Sequence, residues 1–108
     1  MTTYSFGDIV LIGFPHTDLQ GVSKRPALVT YDSGDQDLLV ARITTQEYMT
    51  EADYKISQWE KCGLLAPSYI RFGKQATIEK RYILKHLGRV EISEVQQLKA
   101  ILRKIFSL

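Results

Sequence analysis

Gly7-Asp8-Ile9-Val10-Leu11-Ile12-Gly13-Phe14 is the stretch on which the fold turns. From Ile9 to Phe14 no polar side chain interrupts the run, and Ile9, Val10 and Ile12 are β-branched. Such a run suits a strand covered on both faces better than one with a wet side. Pro15 ends it. The polar stretch from His16 to Lys24, with Gly21 and Ser23, is expected as an exposed loop, and Pro26 biases Arg25 towards extended backbone.

Working outward, Ala27–Tyr31 and Leu38–Thr44 read as a second and third strand. Asp32-Ser33-Gly34-Asp35 supplies the turn of a hairpin between them, because glycine accepts positive φ and aspartate bonds its own backbone. Short strands are expected at Tyr54–Ser57 and Tyr69–Phe72, the latter opened by Pro67-Ser68. Ile83–Val90 fits a strand or a turn of helix. The last segment is helical in pattern: Val95, Leu98, Ile101, Leu102 and Ile105 share one face, and Ser93 with Gln96 makes a capping box. The fold class expected is mainly β, a small strongly bent sheet or barrel with a C-terminal amphipathic helix packed on it.

At 108 residues the chain fits one domain, 1–108, and its 44% hydrophobic and 24% charged residues are those of an ordinary globule. No apolar run approaches the roughly 18 residues a membrane span needs. The opening residues lack the basic start and apolar stretch of a signal peptide, so a cytoplasmic location is expected. One cysteine, Cys62, and two scattered histidines give neither a disulfide nor a zinc site. The net charge of +2 hides an uneven distribution. Residues 31–60 carry seven acids against Arg42 and Lys55, whereas residues 61–90 carry seven bases against Glu79 alone. A basic stretch interleaved with Tyr69, Phe72 and Tyr82 has the composition of a polyanion-binding face, and equally that of a solvated basic surface.

Beyond the opening strand, an ordered set of motifs runs along the chain. It comprises Gly7 to Gly21, Lys24-Arg25-Pro26-Ala27-Leu28-Val29, Ala41-Arg42-Ile43-Thr44, Gly63-Leu64, Pro67-Ser68-Tyr69-Ile70-Arg71, Ala76-Thr77-Ile78 and Leu87-Gly88. In this order and spacing the set resembles the MazF/PemK family of toxin–antitoxin ribonucleases. The resemblance implies an SH3-like β-barrel, a homodimer, and metal-independent cleavage of single-stranded RNA at short preferred sequences, with no cofactor. It also implies a cognate antitoxin whose flexible acidic segment occupies the RNA groove.

Cleaving RNA without a metal means turning the ribose 2′-hydroxyl onto its neighbouring phosphate, giving a 2′,3′-cyclic phosphate and a 5′-hydroxyl. A donor must then hold the charge that grows on the phosphoryl oxygens. Arg25 matches the family's catalytic arginine, and its planar fork of donors suits that task. Taken by residue type alone, it could equally decorate a turn before Pro26. Thr44 aligns with the active-site threonine, whose hydroxyl can donate beside the arginine, although threonine is also a common strand former. Lys24, Gln46, Arg71, Lys74 and Gln75 are candidate RNA contacts, Arg71 by matching a basic groove position of some members. Certain relatives place an acid two residues after that arginine and another arginine near position 76, where this chain has Gly73 and Ala76. Those departures keep a second reading open, a non-catalytic toxin or an RNA- or gyrase-binding protein on the same barrel. His16 and His86 are read as loop or structural residues, and Cys62 as a bystander. Trp59 is expected as a core anchor, and Tyr48 could stack on a base. The acids Asp32, Asp35 and Asp37 are read as a hairpin tip rather than a cation site.

Overall fold

The computed structural model describes residues 2–15 and 22–108. Among them, six strands form one antiparallel sheet: β1 Asp8–Pro15, β2 Val22–Asp32, β3 Asp37–Thr44, β4 Asp53–Lys55, β5 Tyr69–Glu79 and β6 Ile83–Arg89. They lie in the order β4-β5-β3-β2-β1-β6. One helix, α1 Ile92–Ile105, follows.

The continuous apolar run of β1 is explained by a sheet with two dry faces. Ile9, Leu28, Ala41, Ile43, Ile70 and Phe72 belong to a core on one face, onto which α1 lowers Leu98, with Val95, Ile101, Leu102 and Ile105 alongside. Their neighbours one residue on or back, Val10, Ala27, Val29 and Val40, form with Ile12 a second cluster on the other face, where Tyr4, Tyr82 and Ile83 pack against it. Strand alternation alone divides the two sets.

The edge strands β4 and β6 do not pair with each other. A 3-10 turn at Trp59–Cys62, between β4 and β5, instead packs against β6, so elements from opposite edges meet and the sheet must curl to bring them together. The contact is backbone against backbone. A Cβ at Gly63 would strike the Leu87 carbonyl, and one at Gly88 the Cys62 carbonyl. Gly63 also holds φ +81, the left-handed cap of the 3-10 turn. The sheet itself stays open between β4 and β6, and the 3-10 turn spans the gap where two glycines let the backbones meet.

Three local expectations change. β2 begins at Val22, so Ser23 and Lys24 lie in a strand and not in the loop that precedes it, and Arg25 is extended as Pro26 biases it to be. β5 continues to Glu79, seven residues beyond Phe72, because β3 supplies a partner along its length. Ser93 does not cap α1: the N-cap is Glu91, without a side-chain cap bond, and Ser93 sits inside the first turn. The start of the helix is fixed by the buried Glu94, whose Oε1 accepts from the Tyr54 hydroxyl at 2.7 Å, the Ser57 hydroxyl at 2.8 Å and the Ser57 N–H at 3.0 Å. Burial alone would raise the Glu94 pKa, but these donors outweigh it and hold the carboxyl below its usual value. Glu94→Ala leaves those donors without their acceptor, and urea unfolding is expected to register a loss of about 2–4 kcal/mol, with Glu94→Gln losing less.

The Asp32–Asp35 turn is built as its residues suggest. Gly34 holds φ +87, its N–H donates to Asp32 Oδ1 at 2.8 Å, and Asp35 Oδ1 accepts from Ser33 and from the Asp37 N–H. Asp32 also ties down the N-terminal segment, accepting from the Tyr4 N–H at 2.7 Å and pairing with Lys80 Nζ at 2.9 Å. The Tyr4 bond first, and Lys80 next, draw its pKa down to about 2 from 3.8. With the folded value below the unfolded one, this stabilisation is complete above pH 4 or so and disappears as the pH falls through about 2. Asp32→Asn is expected to cost about 1.5–3 kcal/mol at neutral pH and to flatten acid unfolding over that window, as chemical denaturation at stepped pH will report.

Candidate nucleic-acid interface

On the sheet face away from α1, a cavity of about 420 Å³ opens over the second apolar cluster. Ile12, Ala27, Val40, Ala76 and Ile78 contribute its apolar lining. Arg25, Arg42, Lys74 and Gln75 contribute the polar part.

Register explains the convergence. Ile12 opposes Arg25 between β1 and β2, and Ala27 opposes Arg42 between β2 and β3. Directly opposed residues share a face, as do alternate residues along a strand. Arg25, Ala27 and Val29 thus stand on one face with Val40, Arg42 and Thr44. The β2–β3 ladder ends at Ala27 and Arg42; continued by two positions, the same register would set Arg25 opposite Thr44. Two elements distant in sequence therefore bring the guanidinium of Arg25 and the hydroxyl of Thr44 to the same end of the sheet.

Lys74 and Gln75 arrive by a different device. As β3 advances by one residue, from Ala41 to Arg42, its partner on β5 moves from Gln75 to Arg71. Residues 72–74 form a wide bulge that bends β5 and re-aims its side chains. The bulge is braced on both sides: Gln75 Nε2 donates to the Phe72 carbonyl at 2.9 Å, and the Phe72 N–H donates to the Ala52 carbonyl at 2.8 Å.

Thr44 Oγ1 accepts the Gln46 N–H at 3.1 Å, which leaves the hydroxyl proton available to a ligand oxygen. Gln46 is exposed just beyond the strand. Lys24 is exposed, alternates away from Arg25 and does not line the cavity. Arg71 opposes Arg42 across β3 and β5 but is already engaged: its Nε donates to Asp53 Oδ1 at 2.9 Å, and its guanidinium lies 3.5 Å from the Tyr48 ring centroid. Asp53 in turn accepts from the Thr50 N–H and hydroxyl, so Arg71 holds the chain between β3 and β4 against β5. Burial opposes the charged form of Asp53, but the Thr50 and Arg71 bonds prevail and lower its pKa.

Arg42 escaped the sequence reading because it stands inside a strand in a segment dominated by acids. Its spacing of two from Thr44 was the available signal. Conversely, the basic stretch 61–90 is not a basic face. Arg71 pairs with Asp53, Lys80 with Asp32, Arg81 with Glu79 and Arg89 with Asp8. Of the interleaved aromatics, Phe72 and Tyr69 are buried, and Tyr82 packs on the second cluster. Charges segregated along the chain are largely neutralised across the sheet, whereas among the described residues no acid pairs with Arg25, Arg42 or Lys74.

The remaining candidates resolve simply. Cys62 is fully buried; its thiol donates to the Gln58 carbonyl at 3.3 Å, and burial, then the Glu94 and Glu91 charges, raise its pKa. A thiol held in its protonated form is a poor nucleophile. His86 Nε2 meets Asp8 Oδ1 at 3.2 Å on the sheet edge. Trp59 packs against the main core. His16 lies outside the described residues. Among the described residues, no three His, Cys, Asp or Glu side chains gather as a metal site requires.

This arrangement of a curled β-sheet with a C-terminal helix on one face is similar to that of several solved structures. An endoribonuclease from a mycobacterial species, solved in complex with its cognate antitoxin, superposes with a TM-score of 0.78 at 14% identity, over 98% of this chain and 97% of that one. The Mycobacterium tuberculosis toxin MazF-mt6 superposes with a TM-score of 0.77 at 20% identity, over 94% and 97%. A chain of the MazE–MazF structure from Deinococcus radiodurans gives 0.77 at 12% identity over 99% of both chains. No curated protein matches the sequence. The family model described as PemK-like, MazF-like toxin of type II toxin-antitoxin system matches residues 5–106. The chain belongs to this family.

Proposed function

We propose that this protein is a metal-independent endoribonuclease toxin that cuts single-stranded RNA on the sheet face away from α1. The observation that carries the reading is the gathering of Arg25, Arg42 and Lys74 around one apolar-floored cavity, with Thr44 on the same face. Arg25 holds the phosphoryl oxygens as negative charge develops, and Thr44 donates its hydroxyl proton beside it. The 2′-oxygen attacks phosphorus as its proton leaves to solvent. The bond to the 5′-oxygen breaks, and that oxygen takes up a proton, so the products carry a 2′,3′-cyclic phosphate and a 5′-hydroxyl. The donors of the cavity lining, Arg25, Arg42 and Lys74, support a mechanism that leans on charge stabilisation. Lys74, Gln75 and Gln46 serve the flanking nucleotides. Lys24 and Arg71 contribute at the margin, Arg71 by keeping the chain around Tyr48 in place.

The partners follow from the same charge. A cognate antitoxin with a flexible acidic segment competes with RNA for a cationic surface, and a homodimer sets two such surfaces side by side. No helix of the described residues is long and apolar enough to cross a membrane, and a cytoplasmic site of action agrees with the RNA substrate. Incubation with a mixed RNA pool in EDTA, with end mapping, tests the reaction: fragments bearing 2′,3′-cyclic phosphates and 5′-hydroxyls are expected, and an uncut pool contradicts it. A second reading, a binder without turnover, draws on two uncharged residues of β5, Ala76 in the cavity lining and Gly73 in the bulge beside it, and predicts RNA retained but uncut.

A further inference from the structure

We propose that the cavity receives one unstacked nucleobase beside the scissile phosphate, and that Arg42 reads its edge in favour of a keto base, guanine above all. The inference rests on RNA binding at this face, and it identifies a specificity residue for that site.

Size and floor come first. A cavity of about 420 Å³ is adequate for a single nucleotide. Its floor is apolar: Ile12, Ala27, Val40 and Ile78 are almost fully buried yet line the opening. A base set against that floor removes apolar surface from water, whereas a phosphate there would lose its hydration against side chains that offer it nothing.

The rim then selects the base. Arg42 is exposed and presents five donors in a planar fork, Lys74 presents three, and neither has an acceptor. The amide nitrogen of Gln75 donates to the Phe72 carbonyl, and its oxygen is, among the described residues, the one side-chain acceptor of the lining, outnumbered by the donors of Arg25, Arg42 and Lys74. A rim so rich in donors matches an edge of acceptors. Guanine offers O6 and N7 together, the pairing a guanidinium fork makes in its most common base contact. Adenine and cytosine turn an amino group towards the same cations and leave donors facing donors, a pairing that binding sites reject strongly.

Position makes the contact local to the cut. Arg42 precedes Thr44 by two residues on one strand face, a separation of about 6.6 Å along the strand. The base it reads therefore belongs to a nucleotide flanking the phosphate held by Arg25 and Thr44.

The test uses 2′-fluoro RNA hexanucleotides, which lack the attacking hydroxyl, with each position varied through the four bases and binding followed by fluorescence anisotropy. The wild-type protein is expected to bind guanine over adenine about tenfold more tightly at one position. Arg42→Lys, which keeps the charge and loses the fork, is expected to reduce that preference below about twofold while the adenine hexamer binds nearly as before. Arg42→Ala should likewise erase the preference. No preference for guanine in the wild type, or a uniform weakening of every hexamer in Arg42→Ala with the preference intact, overturns the inference and makes Arg42 a phosphate contact. A preference that depends on Arg42, in a protein that leaves natural RNA uncut, would remove the nuclease reading and leave the base pocket standing. Cleavage of natural RNA without the preference would do the reverse, and failure to bind any hexamer would remove both.

Discussion

Arg25→Ala is expected to lower the rate of RNA cleavage by about 10²–10³-fold, the loss typical when a donor to the developing oxyanion is removed. Arg25 stands exposed in β2 opposite Ile12, and its backbone, not its side chain, makes the ladder. The variant should therefore melt with the wild type, so that lost cleavage reads as lost chemistry. Arg25→Lys keeps a cation but not two parallel donors, and an intermediate rate follows. Thr44→Val tests the second group. It removes the hydroxyl and with it the acceptor for the Gln46 N–H, so the turn after β3 loosens as well. Its rate should fall by less than that of Arg25→Ala, and the two losses should not add, because both groups act on one phosphate. Unchanged cleavage in Arg25→Ala, measured by single-turnover kinetics on a defined oligonucleotide, would contradict the assignment.

Gly88→Ala is expected, with Gly63→Ala, to be among the most destabilising small substitutions in the chain, costing more than about 3 kcal/mol or preventing folding altogether. Its φ lies outside the left-handed range, so the effect is steric alone: the new methyl would occupy the Cys62 carbonyl where the 3-10 turn crosses β6. Relief requires the two edges of the curled sheet to separate, and the cores on both faces depend on that curl. Other glycines are internal controls. A methyl at Gly73 would make only ordinary contact with Ala52, at 3.8 Å, and Gly73→Ala should change stability by less than about 0.5 kcal/mol. Gly34 meets nothing but holds φ +87, so Gly34→Ala should lose about 1–2 kcal/mol through backbone strain alone. Urea unfolding of the three variants ranks them. Equal losses at Gly88 and Gly73 would show that the closure does not depend on backbone contact.

The strand at Ile9–Phe14 was legible because an unbroken β-branched run has few alternatives to burial on both faces. The hairpin at Asp32–Asp35 and the stripe of α1 were legible for the same kind of local reason. β5 beyond Phe72 was not, since Gly73-Lys74-Gln75-Ala76 has little strand preference and is extended only because Val40 and Ala41 pair with it. The helix start was misread because Ser93 offered a cap by rule, while the buried Glu94, bonded to Tyr54 and Ser57 some 40 residues away, decided the register. Gly63 and Gly88 were marked by resemblance, but their physical reason, a crossing of two backbones, exists only in three dimensions. The site divides likewise. Arg25 and Thr44 are proposed from the motif, and Lys74 and Gln75 reach the cavity through a bulge that no periodicity announces. Arg42 was hidden by its acidic neighbours in sequence, and Arg71, prominent in a basic run, is turned to a structural task by Asp53 and Tyr48.

Whether RNA lies on this sheet face is decided most directly by titrating isotopically labelled protein with an uncleavable 2′-fluoro oligonucleotide and following backbone amide shifts by NMR. The account predicts the largest changes at Arg25, Arg42, Thr44, Lys74 and Gln75, with Leu98 and the rest of α1 undisturbed. Shifts centred on α1, with these five residues unmoved, would contradict it.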